Sequence, residues 1–343
     1  MKMTRQALFL AWIGALLVLA GCSAGKAAEK NKDGYEKVEL KYQGWAGVVT
    51  YPELAEDLGY LGPIKLNWVG NLSGGPQDIQ TAATGQTDFG GAFNGAIIKL
   101  RSSGAPIKAV LGYYGSDEET FVGYYTLEGS PIKEARDLIG KKIGVNTLGA
   151  HLELALKEYL KQNGLTDDEI KQVTLVVVPT GNGEQTLRQK QIDVVALNGA
   201  ARDRALDNGG LSKVFSDYDL FGTFTAGSYV FTEKFMKENP KTVKKFVEGT
   251  AKAIEWSRKT PREEVIARFK SIIEKRDRKE DSETVQYWKS PGVAEKGGYI
   301  KESEFQVWMD WLAENGEIKK GQVKLDDLYT NEFNPFTKEF KTK

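Results

Sequence analysis

The stretch GGPQDIQTAATGQTDFGGAFNGAI, residues 74–97, sets the reading of the whole chain. Pro76 follows a glycine pair, which suits the first helical position, where the missing proline N–H would have no partner anyway. Asp88-Phe89-Gly90-Gly91-Ala92 then predicts a short strand, and Gly95 to Ser103 a second helix. A loop that feeds a helix, a strand and another helix is the repeating unit of an α/β fold.

Working outward, Val38, Leu40 and Tyr42 alternate with Glu39 and Lys41, which signals a strand. The loop Gln43-Gly44-Trp45-Ala46-Gly47 follows, then a helical pattern over Tyr51 to Leu58 that Gly59 stops. Ile64 to Val69 and Ile107 to Tyr113 read as further strands. The pattern restarts at Asp137, with a strand ending at Val145, then Thr147-Leu148-Gly149-Ala150-His151 leading into a helix through Leu160. Thr166 and Glu169 have capping-box spacing. Leu175 to Val178, Val194 to Leu197 and Lys213 to Ser216 complete a second α/β unit. From Glu233 the pattern is helical, with Pro240 and Pro261 as starts. The expectation is two α/β units with largely parallel sheets, and a cleft between them.

The N-terminus and composition bound location and partners. Lys2 and Arg5 precede an apolar run, Ala7 to Ala20, that is shorter than the roughly 20 residues needed to span a bilayer. Residues 1–21 therefore read as a signal peptide. Leu19-Ala20-Gly21-Cys22 resembles the bacterial lipobox, in which the cysteine, here the chain's only one, carries palmitate-type acyl chains. Residues 22–35 then form a polar tether, and the protein sits anchored on the extracytoplasmic face of the cell membrane. With Cys22 acylated, no thiolate remains for a disulfide, a nucleophile or a metal site. Charge is balanced at 47 basic and 47 acidic residues, and removing Lys2 and Arg5 from the 47 leaves 45. That balance argues against a nucleic-acid partner. A length of 343 with 41% hydrophobic residues suits two globular units.

Ligands of open α/β sheets bind beyond the carboxyl ends of strands. That rule selects Gln43, Trp45, Ser73, Gly74, Gly75, Phe93, Asn94, Tyr113, Tyr114, Thr147, Gly149, Ala150, His151 and Asn198. Ser73-Gly74-Gly75 and Thr147 to Ala150 precede helices, whose first N–H groups and positive dipole ends suit an anion. Trp45, Phe93, Tyr113 and Tyr114 offer flat apolar faces to a planar solute. Gln43, Asn94 and Asn198 offer neutral hydrogen bonds. His151, the chain's only histidine, stands in a helix's first turn as a donor to an anion, or as packing. Arg202 and Arg204 read as exposed helix positions or as partners of an acidic ligand group, and Glu118-Glu119 and Asp167-Asp168 as solvated charge. One histidine builds no multi-histidine metal site, no Gly-x-Ser-x-Gly elbow is present, and no cofactor motif appears.

Three segments in order carry a resemblance. They are residues 74–97 above, "SPIKEARDLIGKKIGVNTLGAHLELALKEYL" from Ser130, and "RQKQIDVVALNGAARDRALD" from Arg188. Together they resemble the solute-binding lipoproteins of ATP-driven importers for aliphatic sulfonates, taurine, nitrate and thiamine-pyrimidine precursors. The resemblance implies a two-lobed, hinged periplasmic-binding-protein fold of type II kind, with C-terminal helices packed on the first lobe. It places crossings between lobes near Phe121 to Thr126 and Phe224 to Tyr229, and divides the chain into lobe 1 (36–123 and 227–343) and lobe 2 (124–226). It further implies that Ser73 to Gly75 and Thr147 to His151 hold an anionic head group, although Leu148-Gly149 stand where relatives often carry consecutive serines.

The expectation is a monomeric, non-catalytic binding protein that hands a small organic anion to a permease and its ATPase. Two rivals are a binding protein for a planar heteroaromatic, gripped by Trp45 and Tyr113 or Tyr114, and an enzyme on the same fold that makes or modifies a pyrimidine. A ligand-sensing lipoprotein is a third.

Overall fold

The computed structural model describes residues 34–72 and 74–341. The expected signal peptide, Cys22 and most of the tether lie outside the described residues, as does Ser73.

The first unit opens with β1 (Glu39–Gly44), α1 (Tyr51–Asp57), β2 (Lys65–Asn71), α2 (Gly75–Ala83), β3 (Gly90–Phe93), α3 (Asn94–Ser102) and β4 (Ile107–Ser116). The second unit holds β5 (Gly123–Leu127), β6 (Lys142–Val145), α4 (His151–Gln162), α5 (Asp167–Ile170), β7 (Thr174–Val177), α6 (Gly183–Arg188), β8 (Val194–Leu197), α7 (Gly199–Asp207), β9 (Leu211–Ser216) and α8 (Asp217–Phe221). The chain then returns through β10 (Phe224–Thr232) to α9 (Glu233–Glu238), α10 (Pro240–Lys259), α11 (Arg262–Lys275) and α12 (Ser303–Glu314). Local signals behave as written. Thr50 and Glu53 close a capping box at α1, and Thr166 and Glu169 close another at α5.

The sheets are mixed rather than largely parallel, which corrects the sequence expectation. β1 and β2 pair in parallel, but β10 runs antiparallel between β3 and β4. In the second unit β6 is parallel to β7 and β8, while β5 lies antiparallel between β8 and β9. The reason is topological. The chain leaves the first unit after Ser116 and returns at Phe224, and each strand that follows a crossing enters its new sheet from the opposite end.

The later helices pack back on the first unit, as expected. In α10 the residues Val243, Phe246, Val247, Ala251 and Ile254 form one buried stripe. They close over Leu54, Ala55 and Phe89 in a shared core. Each of the larger side chains, the valines, leucine, isoleucine and phenylalanines, contributes about 1.5–3 kcal/mol on burial. Gly249 faces Tyr60, where a Cβ would stand 2.9 Å from the carbonyl oxygen, so the helix approaches that closely only with glycine there. A second core joins α3 to α12 through Ile97, Phe305, Trp308 and Leu312. Among the described residues no helix is long and apolar enough to cross a membrane.

Candidate functional site

The two helix-start loops selected by sequence converge. Gly74 caps α2 in extended backbone, φ −173°, without a side-chain cap. A Cβ built on Gly74 would lie 3.6 Å from Thr147 Oγ1 and 3.8 Å from Thr147 Cβ. A single Cβ would therefore span the space between the loops of the two units at this point. Gly75 sits against β3, where its Cβ would stand 3.3 Å from Ala92 Cα. One turn into α2, Asp78 is buried, and burial pushes its carboxyl up to about 7 although the Gly91 N–H donates to it at 2.6 Å.

On the second unit, Gly149 adopts φ 69°, a left-handed conformation that favours glycine. Its N–H donates to Glu153 Oε2 at 2.7 Å. Burial raises the Glu153 carboxyl, but the bonds from Gly149 and Lys157 outweigh it and hold the group below its usual range. The loop's amide is therefore satisfied by its own helix. Ala150 is the buried N-cap of α4.

His151 is 6% exposed and does not stand as a free donor. Its ring stacks on Phe93 at 5.3 Å, and Phe224 and Tyr114 lie 5.7 Å and 6.2 Å away. Its Nε2 stands 3.1 Å from Asp217 Oδ2, and both atoms are buried without a hydrogen bond. The packing alternative for His151 is the one the geometry favours.

The aromatic group divides in two. Tyr113 stacks on Tyr229 at 4.1 Å and meets Tyr114 edge-on at 4.9 Å. Burial pushes both the Tyr113 and Tyr114 hydroxyls up, so they stay protonated. Phe93, by contrast, is wedged between His151 and Trp308 and belongs to the core. Asn94 beside it is fully buried, and its polar atoms serve the fold. The amide nitrogen donates to the Glu304 and Thr225 carbonyls at 3.2 and 3.5 Å, and Oδ1 accepts from Ser228 Oγ at 2.8 Å. A solute has no route to these groups.

Gln43 Oε1 accepts from Thr81 Oγ1 at 3.1 Å, while Trp45 is half-buried at the edge of β1. Asn198 is exposed and caps α7 without a side-chain bond. It lines, with Asn146 and Pro179, a crevice of about 10 Å³ at the carboxyl ends of β6, β7 and β8. That is room for about one water.

Arg202 overturns its sequence reading as an exposed residue. It is 2% exposed, donates to the Phe121 and Glu119 carbonyls at 3.0 and 2.6 Å, and pairs with Asp203 at 2.8 Å. Its guanidinium also lies 4.0 Å from the centre of the Phe121 ring. A cation this deep is retained because carbonyls of the first crossing, a carboxylate and a ring surround it.

One cluster was missed by the sequence reading. Arg276 and Arg278, more than two hundred residues from β1, insert beneath its carboxyl end and pair with Glu53 at 3.0 and 3.1 Å. No local pattern signals this, because the contacts are made entirely by tertiary return of the chain.

Against known proteins, residues 64–264 match the model of the family described as NMT1/THI5 like. A 4-amino-5-hydroxymethyl-2-methylpyrimidine phosphate synthase of Candida albicans (strain WO-1) is 24% identical over 278 residues, covering 75% of this chain and 76% of that protein. The periplasmic aliphatic sulphonate binding protein SsuA from Escherichia coli superposes with a TM-score of 0.65 at 18% identity, covering 85% of this chain and 91% of that one. The periplasmic nitrate-binding protein NrtA from Synechocystis PCC 6803 gives 0.67 at 12% identity, covering 90% and 89%. These structures share the two-lobed periplasmic-binding-protein fold with this chain.

Proposed function

The chain belongs to the NMT1/THI5-like family, and from that premise we propose that it is the solute-binding component of an ATP-driven importer. In this reading lobe 1 holds β1–β4, β10 and the helices after it, and lobe 2 holds β5–β9 with their helices. A small organic solute is captured between them and delivered to a permease with its ATPase. The protein works as a monomer on the extracytoplasmic face, tethered through acylated Cys22, without catalysis, cofactor or nucleic acid.

One observation carries the reading: Gly74 of one helix-start loop and Thr147 of the other lie face to face across the two units. A solute that touches both loops gains its full set of contacts only when the units approach, so binding favours closure. An anion of the sulfonate, taurine or nitrate class is the first candidate, because α2 starts with Gly74-Gly75, whose backbone permits close approach.

A planar heteroaromatic is the second candidate, favoured by a separate observation. Tyr113, Tyr114 and Tyr229 form a continuous aromatic group in the first lobe, and such surfaces suit a flat ring. The pyrimidine named for the Candida relative is the natural probe of this arm.

Thermal-shift measurements with ethanesulfonate, taurine, nitrate and 4-amino-5-hydroxymethyl-2-methylpyrimidine decide between them. A ligand at a hundred times its Kd stabilises by about 2.7 kcal/mol, a shift readily seen. Stabilisation by none of the four sinks the capture reading. Chemical conversion of a bound compound by the purified protein would establish an enzyme instead.

A further inference from the structure

Beside the carboxyl end of β1, two buried donors lack acceptors. Trp68 Nε1 and Arg278 Nη1 make no hydrogen bond, although Arg278 Nη1 stands 3.1 Å from Glu53 Oε1 as an ion pair. Both border the same glycine. A Cβ built on Gly44 would lie 3.5 Å from Arg278 Nη1 and 3.9 Å from Trp68 Cδ1, the ring carbon bonded to Nε1. A Cβ there would touch an indole, a guanidinium and the Tyr42 ring at ordinary contact distance, so only the missing side chain of Gly44 leaves space between them.

The rest of the cluster holds Arg278 mainly through Nη2 and the guanidinium face, and Nη1 has only the Glu53 ion pair. Its Nη2 donates to the Tyr42 hydroxyl at 2.6 Å, and its plane lies 4.6 Å from the centre of the Trp68 ring. Glu53 Oε1 is already served by the Tyr42 hydroxyl at 2.5 Å and Arg276 Nη1 at 3.0 Å. Arg276 also donates to the Val48 carbonyl at 3.1 Å, in the loop that follows β1. The flanking backbone is strained, because Asp277 and Lys279 both adopt left-handed conformations, φ 46° and 54°. Strain of this kind gathers at functional sites. Leaving a buried donor unsatisfied adds a cost of its own.

We propose that Arg278 Nη1 and Trp68 Nε1 form an acceptor-reading subsite of the first lobe, which takes one oxygen or ring nitrogen of the solute at the Gly44 notch. The proposal rests on capture of a solute between the lobes and adds what the solute must present there. That is a lone pair, carried by an anionic oxygen or a heterocyclic nitrogen. Carboxylates on both sides of the two arginines, Glu53 and Glu280, balance their charge. The subsite thus reads an acceptor without demanding a net anion.

Isothermal titration of the full chain with ethanesulfonate, nitrate and 4-amino-5-hydroxymethyl-2-methylpyrimidine tests this, using Trp68→Phe and Gly44→Ala. Trp68→Phe keeps a six-membered ring under Arg278 and removes the N–H together with the rest of the pyrrole ring. The expected result is about tenfold weaker binding of whichever probe the wild type takes, the equivalent of about 1.4 kcal/mol. The unliganded melting temperature falls only slightly, because removing an unsatisfied buried donor offsets part of the packing lost with the smaller ring. Gly44→Ala weakens binding likewise by filling the notch. A Trp68→Phe protein that binds as tightly as wild type overturns the subsite alone. A wild type that binds none of the probes overturns the capture reading and the subsite with it. A purely structural cluster shows a third pattern, a marked fall in melting temperature with unchanged affinity, and that also overturns the proposal.

Discussion

His151 Nε2 stands 3.1 Å from Asp217 Oδ2, while Asp217 Oδ1 accepts the Val122 N–H at 2.9 Å. One buried carboxylate thus ties the first residue of α4 to both segments that run between the units. The Asp217 N–H returns a bond to the Val122 carbonyl at 3.0 Å. Asp217→Ala removes the acceptor of the buried Val122 N–H and the carboxylate that faces His151, and the expected loss is about 1–3 kcal/mol in urea unfolding. Asp217→Asn, which keeps an acceptor for Val122, loses less. Equal losses in the two variants would show that the carboxylate has no double role.

Asp78 and Glu304 predict a pH dependence. Burial pushes both carboxyls up to about 7 from ordinary values of 3.8 and 4.5. The folded protein therefore keeps protons that the unfolded chain releases, and its stability falls as pH rises from about 4 through about 7. Acids held below their usual range, such as Glu153 and Asp219, act in a lower window and lose their contribution as pH falls. Urea midpoints are expected to drop between pH 5 and pH 8, and Asp78→Asn to be more stable than wild type at pH 8. The asparagine of that variant still accepts from the Gly91 N–H but carries no buried charge. A wild-type midpoint that climbs over this range contradicts the assignment.

Much of the fold was legible because it is written in local signals. The capping boxes at Thr50 and Thr166, the prolines at 76, 240 and 261, and the alternation in β1 all act within a few residues. Strand direction was not legible, since β10 pairs with β3 and β4 across more than a hundred residues. The convergence of Gly74 and Thr147 followed from the rule about strand ends. The fate of polar side chains did not. Asn94 and Arg202 have compositions suited to solvent or ligand, and only the tertiary contacts of Glu304, Ser228, Glu119 and Phe121 reveal them as interior.

Asn94 links three parts of the first unit, reaching Ser228 on β10, the Thr225 carbonyl and the Glu304 carbonyl of α12. Asn94→Leu fills the space but strips the Ser228 hydroxyl and two carbonyls of partners. The expected cost is about 2–4 kcal/mol in urea unfolding. Affinity for any probe that stabilises the wild type is expected to hold in the fraction that folds. A variant as stable as wild type, but unable to bind, would return Asn94 to the ligand site.

Gly74 gives the most direct test of closure. Its extended φ of −173° is open to any residue, so a substitution there carries no backbone penalty. A methyl group reaches Thr147 Oγ1 at 3.6 Å, an ordinary contact, and Gly74→Ala should bind and melt as wild type does. A leucine extends past that contact and props the two loops apart. Gly74→Leu is therefore expected to keep the wild-type melting temperature without ligand, yet bind at least about tenfold more weakly, a cost of about 1.4 kcal/mol levied on the closed form. Small-angle scattering with saturating probe should show a larger radius of gyration than the wild type under the same conditions. Thr147→Gly in the same chain removes the obstacle and should restore part of the affinity, a coupling that a double-mutant cycle reads directly. Tight binding by Gly74→Leu alone, with a wild-type radius, means that the loops do not close on a solute at all.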